Sequence, residues 1–599
     1  MGNTYYQDEL RYLREVGPEF ARANPEIARY LADPGADPDV DRLLEGVAFL
    51  CGRIRQKLDD ELPELTASLM ALLWPHYLRP IPSLSILELL PDIEAMQAPL
   101  VVPAGAEFAS RPIDGTRCRY RAAWPTRVRP WALREARLET PPAEPPRLVL
   151  RFQASAKAKL ADLELDSVRL FLFGDPRTTF TLYLLLAAHA DAVLVSNGAT
   201  GTARRETALP RDAVRAAGLD LDARVLPYPS YVFPGYCFLQ EYFTLKERFL
   251  FVDLCGLDAA VRALKLEDAV TVTIPFDRRL ESFPLVSAEN LRLHCVPIVN
   301  LFAHHAEPIR LSHDRVRYLV QPARAGIADR RHAEVYSIDR VLGLVRTRDM
   351  EAHEFKPFYS FAHVGGADPR AATYYQVHLS PSLLGGGTRW GTDTFLSFVV
   401  GGQADAVPPE ETVSVDLTCT NRDLPNELRA GDICEPTDAS PSGMRFRNLL
   451  KPTATISPPL GKGLHWRLIS HLSLNYVSLT DVERFRELLR VYDFQAAQDA
   501  QRAVAHQRLL DGIVGLRSQY RERMVRGAPI RGVQVDLELQ EDHFAGEGDA
   551  YLFASIVDRF LAAYVTINAF TQLNVRFVRS GQTYAFPPRA GQQVTPAES

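Results

Sequence analysis

Apolar residues recur at helical spacing through the N-terminal region of the chain. From Leu43 to Leu58 they stand three or four positions apart, which predicts a long helix with one apolar face. Pro63 removes a backbone donor and predicts a kink or an end there. A second helical piece continues the apolar positions and ends at Trp74-Pro75. The candidate interaction residues on these two pieces are Leu43, Val47, Leu50, Ile54, Leu58, Leu65 and Leu69.

This amphipathic segment has two open interpretations. In one, the helical pieces close the core of their own domain, which is the ordinary role of an apolar helical face. In the other, they belong to a helical bundle that another chain completes. Few apolar elements nearby in the sequence could cover the stripe, and this motivates the second interpretation.

The hydrophobic pattern changes after Pro82, where apolar and polar residues alternate between frequent prolines and glycines. Period-two alternation of this kind predicts short strands of a sandwich or barrel. Helical spacing returns in a few places, which are 179–188, a segment ending near 492, 496–516 and 551–567.

We therefore predict an α+β multidomain protein. The expected parts are a helical N-terminal bundle-forming region at 1–90, a β-rich, sandwich- or barrel-like middle domain at 91–362 and a mixed α/β C-terminal domain at 363–599. Loop chemistry at 363–373 motivates the second boundary. A length of 599 residues agrees with about two to four domains.

Composition and charge exclude several classes of protein. Hydrophobic residues make up 46 % and charged residues 24 % of the chain, as in ordinary globular proteins. The net charge of −6 offers no basic footprint for nucleic acid. Seven cysteines without a CxxC pair indicate reduced thiols rather than a disulfide framework.

The N-terminus and the apolar runs bear on location. The sequence MGNTYYQDEL is acidic and polar, unlike a secretory signal. The most apolar run, 182–195, is interrupted by His189 and Asp191 and is too short to span a bilayer. We expect a cytoplasmic protein without direct membrane insertion.

Candidate chemistry is sparse and centres on one cluster of imidazole and thiol side chains. These are the ligand types that zinc prefers, but their spacing fits no zinc finger and no HExxH helix. Hydrogen-bonded or exposed histidines are the competing interpretation. The alternative function is a metal-dependent hydrolase using this cluster; otherwise we predict no enzyme, no cofactor and no metal. The cluster comprises His294, Cys295, His304, His305 and His313.

Aromatic residues concentrate in a proline-punctuated segment, 226–251. Large rigid aromatic side chains beside Arg and Glu are typical of interface hot spots, and packing in a core is the alternative. Core packing is favoured for Phe249 and Phe251, whereas Tyr228 and Tyr236 are candidate interface residues.

The last predicted helix, 551–567, has an apolar stripe formed by Phe553, Ile556, Val557, Phe560 and Tyr564. Such a helix packs on the C-terminal sheet or meets the same helix of a neighbouring subunit. We expect Phe560 to be core. Arg559 is expected on the exposed side, as a candidate contact between subunits.

Six ordered blocks along nearly the whole chain resemble the TssF family (also called VasA or ImpG), a baseplate subunit of type VI secretion. Val296 is a mild departure, because polar residues are common at that position of the family. None of the blocks is a catalytic motif. The blocks are AFLCGRIRQKLDDELPEL (48–65) with PHYLRP (75–80), GYCFLQEYF (235–243), CVPIVNLF (295–302) with EPI (307–309), CTNRDLP (419–425), WRLISHLSLNY (466–476) and GEGDAYLFASIVDRFLAAYVTINAF (546–570).

The resemblance implies a non-enzymatic, structural role in the bacterial cytoplasm. Family members resemble wedge proteins of phage-tail baseplates and scaffold a contractile tail around its spike. The implied partners are TssG, TssK, TssE, the spike protein and a second copy of the chain within each wedge. Contacts between wedges are the implied role for Arg559.

Overall fold

The computed structural model describes most of the chain in detail. The chain divides into two compact units, one formed by Met1–Leu78 with Pro459–Ser473 and one by Arg79–Pro458 with Leu474–Ser599. The described residues are 10, 11, 13, 38–59, 70–71, 74–142, 144–199, 204–229, 235–280, 282–312, 315–345, 351–358, 373–382, 391–400, 411–458, 481–494, 496, 500–525, 528–563, 565 and 569–590.

Among the described residues of the first unit, one long helix, α1, spans Pro38–Asp59. This confirms the helix predicted from the apolar spacing. A short helical turn follows at Pro75–Tyr77. The described residues do not support a helical N-terminal bundle, because α1 is the one long helix among them. Most of the second predicted helical piece, with Leu65 and Leu69, lies outside the described residues.

A six-stranded antiparallel sheet in the second unit joins segments that are far apart in the sequence. Its strand order is β25-β3-β4-β15-β1-β26, and Leu84 of β1 pairs with Val299 of β15. The strands are β1 (Leu84–Pro91), β3 (Glu107–Ile113), β4 (Thr116–Ala122), β15 (Cys295–Val299), β25 (Ile433–Glu435) and β26 (Met444–Asn448). A two-stranded ribbon pairs β2 (Leu100–Val102) with β5 (Thr126–Val128).

Two further antiparallel sheets follow, with orders β10-β9-β13-β7-β6 and β11-β12-β8-β14. The first comprises β6 (Trp131–Glu139), β7 (Arg147–Ala154), β9 (Val193–Ser196), β10 (Glu206–Leu209) and β13 (Ala269–Pro275). The second comprises β8 (Ser167–Leu172), β11 (Val214–Ala217), β12 (Phe251–Cys255) and β14 (Leu291–Leu293). The helices of this region are α2 (Pro176–Ala188), α3 (Gly235–Thr244) and α4 (Leu257–Leu264).

Helix α2 confirms the helix predicted at 179–188 and begins three residues earlier. The Asp175 carboxylate accepts the backbone N–H of Thr178 at 3.0 Å, and Pro176 occupies the first helical position. Both features satisfy or remove donors that a helix start otherwise leaves unpaired.

Two sheets share a core around Val341, Leu396 and Val415. One has the order β16-β24-β19-β20 with β17 beside β24, and the other has the order β18-β23-β22-β21. The first comprises β16 (Phe302–His305), β17 (Ile309–Arg310), β19 (Glu334–Val345), β20 (Glu351–Glu354) and β24 (Glu411–Thr420). The second comprises β18 (Tyr318–Leu319), β21 (Lys356–Pro357), β22 (Thr373–Pro381) and β23 (Thr392–Val400).

The C-terminal segment forms a mixed sheet, in which β28 and β29 are parallel and α7 is the crossover between them. Its order is β27-β28-β29-β30, with β31 also beside β29. The strands are β27 (Ile513–Val525), β28 (Ala528–Leu539), β29 (Ala569–Phe577), β30 (Thr583–Ala585) and β31 (Arg589–Ala590). The helices are α5 (Val482–Tyr492), α6 (Ala500–Asp511) and α7 (Glu547–Ala563).

The helix predicted at 496–516 is too long. Helix α6 ends at Asp511, and β27 begins at Ile513. Residues from Ile513 onwards are extended because they pair with β28, beginning at its last residue, Leu539. Tertiary pairing therefore overrides the local helical spacing. The mixed α+β class is confirmed. No helix among the described residues is long and apolar enough to cross a membrane.

Candidate assembly surfaces

Helix α1 exposes its apolar face. The exposed fractions are 70 % for Leu43, 40 % for Val47 and 62 % for Leu50, although these residues stand at the spacing of a buried stripe. Ala48, on the other side of the helix, is fully buried. The described part of this face is therefore available to a partner; the side chains of Ile54 and Leu58 are not described.

Phe49 adds a second exposed apolar side chain to α1. It is 56 % exposed and lies about 120° around the helix from the Leu43–Leu50 stripe. Spacing analysis missed it because Phe49 breaks the period of three and four. Large exposed apolar side chains at several angles around one helix are typical of a helix in a bundle.

The candidate tyrosines pack inside the chain. Tyr236 on α3 is 4 % exposed, and its ring stacks on Tyr492 of α5 with centroids 4.6 Å apart. The hydroxyl of Tyr228 donates to the side-chain carbonyl of Gln240. These contacts give both tyrosines a role in packing, and their predicted contact with a partner stays a prediction.

Glu241 of α3 forms a buried ion pair and also holds the loop that precedes the helix. Glu241 and Arg248 form a salt bridge, and both side chains are fully buried. Glu241 Oε1 also accepts the backbone N–H groups of Val225 and Leu226 at 2.8 and 3.0 Å. The GYCFLQEYF block therefore carries an acid whose contacts in this structure are structural.

Two asparagines bring two of the sequence blocks together. Asn300 donates to the side-chain oxygen of Asn421 at 2.8 Å and accepts the backbone N–H of Asn421 at 2.7 Å. Both residues are buried. Asn300 also donates to the carbonyl oxygen of Arg119 at 2.7 Å, which ties the end of β15 to β4. This network gives Asn300 and Asn421 a structural role.

The histidines of the proposed metal cluster point to different partners. His294 is buried, its Nε2 accepts the backbone N–H of Arg129 at 3.1 Å, and burial lowers its pKa to about 3. His304 Nε2 lies 2.7 Å from the carbonyl oxygen of Ala323. His305 is 77 % exposed and lies 2.8 Å from Asp416.

Cys295 of the same cluster is buried in β15, and burial raises the pKa of its thiol. His313 lies outside the described residues. Within the described part of the chain, no group of three or more His, Cys, Asp or Glu side chains could hold a metal ion. The alternative hydrolase is therefore not supported.

A cleft of about 970 Å³ lies between α3, α6 and the start of α7. Four of its titratable side chains form two pairs. Lys246 contacts Asp549 at 3.0 Å, and His506 contacts Asp493 at 2.7 Å. These pairs join the elements that form the walls of the cleft.

Helix α7 is buried on nearly all sides. Phe553, Ile556, Val557 and Phe560 have no exposed surface, which confirms the core assignment of Phe560. The helix packs against α2, α3 and β29. Tyr564 lies outside the described residues.

The expected exposure of Arg559 is wrong. Its side chain is 26 % exposed and lies 3.4 Å from Asp220, because α2 and α3 cover the helix on which it stands. Burial lowers the pKa of its guanidinium. Its contact between subunits stays a prediction.

Comparison with known proteins agrees with the sequence blocks. The family model described as "Type VI secretion system, TssF" matches residues 3–593. The chain belongs to the TssF family. It is 33 % identical to the type VI secretion system component TssF1 of Pseudomonas aeruginosa, over 98 % of both chains.

Two solved structures share the fold of this TssF-family chain. One is a chain of a TssK–TssF–TssG baseplate subcomplex, with a TM-score of 0.74, 32 % identity and coverage of 92 % of this chain and 99 % of that one. The other comes from the type VI secretion baseplate complex, with a TM-score of 0.64, 27 % identity and coverage of 99 % and 100 %. The predicted family, and the function in type VI secretion that it implies, are confirmed.

Proposed function

We propose that the chain is a structural subunit of the baseplate wedge of a type VI secretion system and scaffolds the contractile tail around its spike. The observation that carries this proposal is the exposed apolar face of α1 on a chain of the TssF family. The similar solved chain is part of a complex with TssK and TssG, which makes these two proteins the first proposed partners.

The α1 face is proposed as the TssG contact, where a helical bundle is completed. Leu43, Val47 and Leu50 expose 40–70 % of their surface, and burying what remains exposed of one such side chain contributes about 0.6–2 kcal/mol. Ile54, Leu58, Leu65 and Leu69 are proposed to extend the contact at the same spacing. Phe49 joins the set from its exposure.

The wider assembly follows from the resemblance. TssE, the spike protein and a second copy of the chain are further proposed partners, and Tyr228, Tyr236 and Arg559 are proposed contact residues. The proposed role is not enzymatic and is located in the bacterial cytoplasm. The division into parts at 1–90, 91–362 and 363–599 is kept as a proposal.

Co-expression tests this function. The chain, TssG and TssK are produced together and purified through a tag on TssG, and the masses of intact complexes are measured. We expect one complex that contains all three proteins. A chain that purifies alone while TssG and TssK remain together would contradict the proposal.

A matched pair of variants locates the contact. Leu43→Asp with Leu50→Asp places two charges on the α1 face and should remove the chain from the complex. Val504→Asp is the control, because Val504 is also an exposed apolar residue on a helix, at 72 % against 70 % for Leu43. A complex that tolerates the double variant would exclude the α1 face as the contact.

A further inference from the structure

Strand β27 forms an open edge of the C-terminal sheet. It pairs with β28 on one side, and the sheet order places no described strand on its other side. Near its start, Arg486 donates to the carbonyl oxygen of Ile513 at 2.7 Å, which closes that end of the edge. Farther along, residues 519–524 are exposed on both faces of the strand. The distal half of β27 thus presents both its backbone edge and its side chains to solvent.

The two faces of this distal segment differ in chemistry. Because side chains alternate along a strand, Arg517, Arg521 and Arg523 lie on one face and Tyr520, Glu522 and Met524 on the other. Tyr520 is 80 % exposed and Met524 is 69 % exposed. The face of Tyr520 and Met524 continues the buried face formed by Leu516 and its neighbour Leu537, past the point where helices cover it.

The arginines differ in their neighbours on β28: Arg517 lies opposite Asp536, whereas Arg521 and Arg523 lie opposite uncharged residues. Among the described residues, Arg517, Arg521 and Arg523 form no salt bridge. Glu522 forms one with Arg531 of β28, at 3.1 Å. Arg521 donates to the side-chain oxygen of Gln519 at 3.3 Å. Residues two apart on a strand stand about 7 Å apart, so Arg521 and Arg523 form a pair of neighbouring cations on one face.

We propose that the distal edge of β27, residues 519–524, accepts an extended acidic segment of another protein as an added strand. The segment carries Asp or Glu at alternate positions, opposite Arg521 and Arg523, and apolar residues between them, opposite Tyr520 and Met524. Backbone hydrogen bonds to an open edge supply the affinity, and the alternating side chains supply the selectivity.

A second copy of this edge, paired with its faces matched, does not fit as the occupant. Antiparallel pairing of two β27 edges with matching faces sets Arg521 opposite Arg521, or Arg517 opposite Arg523, and like charges directly opposite destabilise a strand pair. An acidic strand forms opposite-charge pairs at the same positions. This proposal does not depend on the role of α1.

Binding of defined peptides to the full-length chain tests the proposal. The probes are three short labelled peptides, one of alternating Glu and Val, one of alternating Lys and Val and one of alternating Glu and Pro. Fluorescence anisotropy measures their affinities. We expect the Glu–Val peptide to bind and the Lys–Val peptide not to bind. The Glu–Pro peptide should also fail, because proline lacks the donor that pairing requires.

Charge reversal at the edge provides the second readout. The variant Arg521→Glu with Arg523→Glu should weaken binding of the Glu–Val peptide by about tenfold or more, since two opposite-charge pairs become like-charge pairs. The control is Arg134→Glu with Arg490→Glu, which changes the net charge equally. Arg134 is exposed on another edge strand, β6, and Arg490 is exposed on α5.

Three results would overturn the proposal. The first is no binding of the Glu–Val peptide. The second is equal binding of the Glu–Pro peptide, which would indicate attraction of charge without strand pairing. The third is an equal loss in the control variant, which would indicate a non-specific effect of net charge.

Discussion

Helices α1 and α7 share an apolar pattern but differ in what covers them. On α7, Phe553, Val557 and Phe560 have no exposed surface, whereas on α1 Leu43 and Leu50 are 70 % and 62 % exposed. Helical spacing of apolar residues identifies side chains that need burial. It does not say which chain buries them.

The cover of α7 comes from its own chain. The helix connects two adjacent parallel strands of its sheet and packs against α2 and α3. There Tyr236 and Tyr242 approach Phe560 and Phe553 with ring centroids 5.7 Å apart. The described residues supply no such cover for Leu43 or Leu50. This difference makes α1 the stronger candidate for assembly and α7 a structural element.

The largest expected difference between the two helices is in stability. Phe560→Ala should lower the free energy of unfolding by about 3–5 kcal/mol, because it leaves a cavity in a closed core. Leu50→Ala on α1 should change it by no more than about 0.5 kcal/mol. Chemical denaturation of both variants measures these values. Equal destabilisation would remove the distinction between the helices.

Removing the buried ion pair tests the cover of α7 from the side of α3. Arg248→Met leaves Glu241 buried without its partner and should cost about 3–5 kcal/mol. Adding Glu241→Gln to that variant should recover part of the loss, because no charge then remains unpaired. Denaturation of the single and double variants measures the coupling. If the double variant is no more stable than the single one, the ion pair is not the reason for the loss.

A smaller effect is expected in the dependence of stability on pH. Burial raises the pKa of Asp558 on α7, and Arg589 opposes this shift. The folded state therefore binds this proton more tightly than the unfolded state, whose pKa is about 3.9. The stabilisation is complete below that value and is lost as pH rises through the folded pKa.

Thermal denaturation at pH values from about 3.9 upwards compares the parent chain with Asp558→Asn, whose side chain cannot ionise. Relative to the parent, the variant should gain stability as pH rises. Arg589→Gln removes the opposing charge and should make the pH dependence steeper. A difference between Asp558→Asn and the parent that is the same at every pH would show that Asp558 is not the titrating group.

Much of the fold could be predicted because it is locally encoded. The spacing from Leu43 to Leu58 predicts α1, and Asp175-Pro176 marks the start of α2. The crossover of α7 between parallel strands depends on pairing of Arg531 with Ala569, which no local pattern encodes. The same limit explains the overlong helix predicted at 496–516.

The candidate surfaces show where sequence analysis ends. Spacing selects Leu43, Val47 and Leu50, but their exposure depends on the surrounding fold. Tyr236 is aromatic and near charged residues, like many interface residues, yet its ring stacks on Tyr492. The edge of β27 is invisible in the sequence, because only the strand order shows that its outer side is open.

Hydroxyl-radical footprinting of α1 tests directly whether TssG covers the apolar face of this helix, because the method reports the exposure of individual side chains. The full-length chain is labelled alone and in its complex with TssG. We expect Leu43, Val47 and Leu50 to react strongly in the free chain and to be protected in the complex. Leu552, which is fully buried on α7, should react weakly in both. If the complex forms and Leu43 and Leu50 remain as reactive as in the free chain, the α1 face is not the TssG contact.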